Sequence, residues 1–132
     1  MDLAGFAKKY ADEIDGQYSG YDSSHIIIIV PLSGGRFQSV VGTITENSLY
    51  NRQVVAFTSK VCPYDNNLPL KNLLEDTSHF FYSRFVIRDS YLQVEAVGNL
   101  EGTSEDSMKN MIQEVANLAD QYELKLTGVD VH

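Results

Sequence analysis

The sequence predicts an α+β protein: helix, three strands, helix, two strands, helix, with an antiparallel sheet and the helices packed on it. Three observations lead there. Both ends of the chain carry apolar residues at three- and four-residue steps, the period of an amphipathic helix. The middle carries β-branched and aromatic runs separated by short turn formers. A single short helical pattern divides those runs into three and two. Helices and strands are therefore segregated instead of alternating, which is the α+β arrangement. The 132 residues suit one domain, 1–132, with one core.

The first helix is written in "DLAGFAKKYADEI". Leu3, Phe6, Ala7, Tyr10, Ala11 and Ile14 share a face, and Lys8, Lys9, Asp12 and Glu13 fall between them. Asp2 is its expected N-cap and Gly16 its stop. "GQYSGYDSS" reads as a turn-rich connector. "HIIIIVPL" is the first strand, because successive isoleucines are stiff at χ1 and favour extended backbone. It shows no polar alternation, so both its faces are expected to be covered, or one face to meet another chain.

"LSGG", residues 32–35, has the form of a nucleotide-contacting signature of transport ATPases. That signature needs a helix after it and a separate phosphate loop of the form GxxxxGK[ST]. The chain has no such loop, and β-rich runs flank the glycines. The expectation is a hairpin turn, in which glycine takes positive φ without steric cost. "RFQSVVGTIT" and "RQVVAFTSKV" are the second and third strands, joined through Asn47, Ser48 and Asn51. Three strands with short connections imply an antiparallel meander.

Pro69 suits the first turn of a two-turn helix whose Leu70, Leu73 and Leu74 share a face. "HFFYSRFVIRDSYLQVEAVG" is a second hairpin turning at Asp89-Ser90. Phe81, Ser83, Phe85 and Ile87 are expected on one face of its first strand, and Phe80, Tyr82, Arg84 and Val86 on the other. The last helix is capped by Thr103 or Ser104, with Glu105 and Asp106 in its first turn, where the macrodipole favours negative charge. Met108, Met111, Ile112, Val115, Leu118, Ala119, Tyr122 and Leu126 form its apolar stripe. Asp120 and Glu123 are placed with the polar residues away from that stripe. From Gly128 onward the tail is expected to be less ordered.

Formal net charge is −8, from 18 acids and 10 bases. Residues 1–22 and 101–132 carry the whole excess, while residues 23–100 balance. A field of this sign repels phosphate backbones and argues against nucleic acid. It suits a solvated surface, or a basic segment of a partner. The chain carries no secretory pattern at its start, and its longest apolar run, Ile26 to Val30, is far too short for a bilayer. A single cysteine, Cys62, excludes an internal disulfide and fits a reducing compartment, so the expected location is cytoplasmic.

No motif points to catalysis. His25, His79 and His132 lack a second ligand at metal spacing, and Cys62 has only Lys60 as a nearby cation. The acid clusters "EDTSH" and "TSEDS" read as a helix end and a helix start. No enzyme activity, cofactor or metal is expected. The apolar strands are more telling: "HIIIIVPL" and "HFFYSRFVIR" are either simply core or together more than three short helices cover. Surplus apolar surface is what a protein interface looks like. Candidate interface residues are Ile27, Ile29, Leu70, Leu73, Leu74, Tyr82, Arg84 and Val86, with Tyr64 and Tyr91 as further amphipathic contacts. Arg84 and Arg88 either hold acidic groups of a partner or pair with Glu95 across the hairpin. The second functional reading is a small-ligand sensor, with a cavity between sheet and helices lined by Phe57, Phe81 and Phe85.

The C-terminal third, "FYSRFVIRDSYLQVEAVGNLEGTSEDSMKNMIQEVANLADQYELKL", sets a strand pair, a turn at Asp89, the acidic cap "SED" and a long helix with Ala119-Asp120 near its end. With the element order of the whole chain, it resembles the type III secretion chaperone-like fold, and in particular the YbjN-type relatives. The resemblance implies a homodimer that binds other proteins, such as an extended client segment, and performs no chemistry.

Overall fold

The structure, a computed structural model, describes residues 2–22 and 24–128. Its first helix, α1 (Leu3–Glu13), starts where the Asp2 carboxylate accepts the Gly5 N–H at 3.0 Å. Leu3, Phe6, Ala7, Tyr10 and Ala11 are its buried positions, as their spacing predicts. The chain then enters β1 (Gln17–Asp22), a strand in the segment expected to be a connector. β1 pairs antiparallel with the next strand, Gln17 opposite Ile29 and Ser19 opposite Ile27. It lies at the sheet edge, where a strand is held by its backbone and needs no apolar face. Its six residues, QYSGYD, include Tyr18, which packs half-buried against the core.

The remaining elements follow expectation closely. They are β2 (His25–Pro31), β3 (Phe37–Asn47), β4 (Arg52–Pro63), α2 (Leu70–Thr77), β5 (Ser83–Arg88), β6 (Tyr91–Asn99) and α3 (Glu105–Thr127). The "SGG" stretch is the hairpin turn between β2 and β3. Gly34 and Gly35 take φ of 76° and 75°, and the Leu32 N–H donates to the Arg36 carbonyl at 2.8 Å. Asp89 and Ser90 both have positive φ, the requirement of a two-residue hairpin turn.

Six strands form one sheet in the order β1-β2-β3-β4-β6-β5, every neighbour antiparallel. α1 packs on β1 and β2, α3 crosses β3, β4 and β6, and α2 rests against β5. The core lies between these helices and one face of the sheet. Ile26, Ile28 and Val30 alternate into it, joined by Val40, Val55, Phe57, Val61, Leu92, Val94 and Ala96. Each such side chain contributes roughly 1.5–3 kcal/mol on burial. Gly42 lies in this layer because nothing larger fits. An added Cβ would lie 2.7 Å from Ile26 Cδ1 and 3.1 Å from Phe57 Cε1.

Two expectations are corrected here. The strand before the Asp89 turn begins at Ser83, not within "HFFY". The Phe81 and Tyr82 N–H groups donate to the two Glu114 carboxylate oxygens of α3, at 3.0 and 2.8 Å, so these amides are taken out of any ladder. Phe80 turns inward instead, its ring 5.4 Å from Phe85 and 6.1 Å from Tyr122.

The second correction concerns α3. Ser104 caps it by accepting the Ser107 N–H, and its apolar stripe is buried as expected. Asp120 and Glu123, however, face the protein and are buried. Arg36, at the start of β3, reaches Asp120 through Nε and Nη2 at 3.0–3.1 Å. A buried carboxylate is tolerated when a guanidinium neutralises it in this two-pronged way. α3 ends at Gly128, whose φ of 76° closes it. The tail expected beyond it, including His132, lies outside the described residues.

Candidate interaction surface

Strand alternation gives the sheet a second face, and among the described residues no helix packs on it. The register builds that face row by row. Ile27 lies opposite Val41, Val41 opposite Thr58, Thr58 opposite Glu95 and Glu95 opposite Arg84. The next row holds Ile29 opposite Ser39, then Lys60 opposite Gln93 and Gln93 opposite Val86. Ile27, Ile29 and Val86 are half-buried among their strand neighbours, whereas Phe37, Val41 and Val97 are exposed. The face thus mixes aliphatic side chains with hydroxyls.

One group on it stands apart. Glu95 is 4 % exposed although it lies on the uncovered face. Arg84 Nη2 donates to its Oε1 at 3.0 Å and Arg88 Nη1 to its Oε2 at 2.7 Å. Burial pushes the Glu95 carboxyl up, but the bonds from Arg88 and Arg84 outweigh it and hold the group below its ordinary value. The hydrogen bond to Glu95 likewise raises Arg88. Of the two alternatives for the arginines, pairing across the hairpin is therefore present. One carboxylate thus answers two guanidiniums, and on Arg88 the charge of Asp89 adds to it. Lys60 Nζ stands 4.5 Å from the Tyr91 ring centroid on the same side. A hollow of about 730 Å³ lies among Phe37, Ser39, Val41, Thr58, Lys60 and Glu95. A second, of about 470 Å³, lies at the far end of the face among Tyr50, Arg52, Val54 and Val97.

The eight candidate interface residues separate into groups. Ile27, Ile29, Arg84 and Val86 share the uncovered sheet face. Leu70 and Leu74 are exposed on α2, and Phe81, just after that helix, is 82 % exposed. Tyr82 is half-buried, its ring edge-on to Phe81 at 4.6 Å. Leu73 is buried and belongs to the core, so it leaves the candidate surface. It lies on the side of α2 that faces the protein, along with the half-buried Asp76 and Thr77. Lys60, Phe37 and Val41 were not singled out by sequence reasoning, although their alternation with Gln38, Val40 and Val61 carries the signal.

The chemistry-bearing residues do not converge. Cys62 is buried, and desolvation with nearby Asp65 and Glu123 pushes its thiol up, away from the thiolate. His25 Nδ1 lies 3.1 Å from Asp22 Oδ1 at an exposed strand end. Among the described residues no three His, Cys, Asp or Glu side chains come together as metal ligands. Phe57, Phe81 and Phe85, the expected lining of a ligand cavity, do not share one. Phe57 fills the core, Phe81 faces solvent, and Phe85 packs on Tyr122 at 4.9 Å. The hollows described above lie on the opposite side of the sheet. No helix among the described residues is long and apolar enough to cross a membrane.

A sheet with helices on one side, in this connectivity, has a solved counterpart. The chain superposes on a chain of the heterodimeric ExoU–SpcU complex from the type III secretion system of Pseudomonas aeruginosa, with a TM-score of 0.64. The match spans 96 % of this chain and 99 % of that one. This is the type III secretion chaperone-like fold. Sequence identity is 10 %, so the chaperone-like likeness is one of architecture. No family model matches the sequence, and no curated protein matches it.

Proposed function

We propose that this chain is a non-enzymatic protein-binding module, chaperone-like in action, working as one domain in the cytoplasm and as a homodimer. The observation that carries the reading is the uncovered sheet face, on which Ile27, Ile29, Phe37, Val41, Val86 and Val97 lie with no helix over them. Exposed and half-exposed apolar side chains gathered on one face are costly to leave wet and are normally part of an interface. The solved counterpart, a chain of a protein–protein complex, supports the same reading. A second exposed apolar group, Leu70, Leu74 and Phe81 beside α2, offers a separate surface for self-association. The buried, unreactive state of Cys62 fits a non-catalytic role.

Light scattering coupled to size-exclusion chromatography tests the homodimer. A mass of twice 14.8 kDa at micromolar protein is the expected result, and a strict monomer counts against it. Affinity capture from native lysate, using the wild-type chain and a chain carrying Val41→Lys, tests the binding face. Proteins retained by the wild type alone support the assignment, and identical retention by both removes it.

A further inference from the structure

The uncovered sheet face differs from the rest of the molecule in charge, and this names the chemistry of its occupant. From β3 to β6 the face and its rim carry Arg52, Lys60, Arg84 and Arg88 against Glu95 and Asp89. Four of the chain's ten basic residues thus gather on one side of a protein whose formal charge is −8. We infer that this face receives an extended, acidic segment of a partner protein, its carboxylates seated on Arg84, Arg88 and Lys60 and its apolar side chains in the hollow beside Phe37 and Val41. The inference rests on the protein-binding reading above and specifies the partner.

Two further features favour this occupant. Glu95 ties down both guanidiniums, so they are held in place before anything binds, and their ordering cost is already met within the fold. Each arginine has five N–H donors and gives one to Glu95, which leaves donors for a second carboxylate. A second copy of this chain, packed face to face by a two-fold axis, would bring together two faces that each carry more cations than acids. Long nucleic acid is opposed by the acidic field of the helical side.

The test uses fluorescence anisotropy with the full chain and three labelled ten-residue peptides, alternating Leu with Glu, with Gln or with Lys. The Glu peptide is expected to bind most tightly, to weaken as salt rises, and to shift amide resonances of Ser39, Val41 and Thr58. Lys60→Gln should weaken it by about two- to fivefold, the worth of an exposed ion pair, and Lys60→Arg should restore it. Equal binding of the Gln and Glu peptides would overturn the acidic partner while leaving a protein-binding face. Absence of Glu-peptide binding at millimolar concentration overturns the inference, as does preference for an oligonucleotide. Dissociation of the homodimer by Lys60→Glu also overturns it, since the face would then belong to a second copy.

Discussion

Tyr122 illustrates how much a single side chain on α3 is asked to do. Its ring meets Phe80 and Phe85 edge-on, and its hydroxyl donates to Asp76 Oδ2 of α2 at 2.7 Å. Burial, then the bond and charge of Asp76, push its ionisation up to about 12. The sign follows directly. The fold favours the neutral phenol, so this contribution is complete below the ordinary tyrosine value near 10 and is lost as pH rises toward 12. A tyrosinate absorbance titration of the folded protein should show Tyr122 and Tyr10, both raised by burial, ionising after the exposed tyrosines, and Tyr122→Phe should lower the amplitude of that late phase by one tyrosine. The same substitution should cost about 1 kcal/mol in urea unfolding at neutral pH, the net worth of a hydrogen bond. Asp120 teaches the complementary lesson. Its spacing sets it among the polar residues of the helix, yet it is buried, and Arg36, 84 residues away, makes that burial tolerable.

At the scale of elements, the β5–β6 hairpin is the most informative unit. Its turn was legible from Asp89-Ser90, and its inward row from Leu92, Val94 and Ala96. The polar residues that alternate with that row, Gln93 and Glu95, are buried as well. Long neighbouring side chains, Arg84 and Arg88 above all, cover Glu95 on a face that no helix covers. Glu95 is held below its ordinary value, so its stabilising contribution is present above about pH 4.3 and is lost as pH falls through the lower folded value. Urea midpoints of the wild type and Glu95→Gln should therefore differ at pH 7 and converge as the pH drops below 4. A difference that stays constant into acid would show that the ion pairs are not its source. β1 is the element that escaped the sequence, because a short edge strand buries too little to leave a hydrophobic signature.

At the scale of the whole molecule, helices on one side of the sheet leave two distinct apolar regions, the open face and the α2 ridge. They call for different mutations. Leu74 is 66 % exposed, so Leu74→Lys should leave folding within about 0.5 kcal/mol. If the α2 ridge joins the two copies, the variant should dissociate at least about tenfold more readily, read as a shift toward monomer in light scattering at matched concentrations. An unchanged dimer would move self-association elsewhere. The charge of the molecule is divided in the same sense as its apolar surface. Acids crowd the two terminal segments that supply α1 and α3, and cations collect behind the sheet.

By itself the sequence determined the three helices, five of the six strands in their chain order, and the three turns that depend on Gly, Asn or Asp. All of these follow from local periodicity and local backbone preference. Only the tertiary structure decided that β6 inserts between β4 and β5, that Asp120 and Glu123 are buried, and that Arg84, Arg88, Lys60 and Glu95 share one face. Those facts depend on which strands become neighbours. Strand neighbours are set by contacts between residues far apart in the chain, and no window of sequence contains both partners.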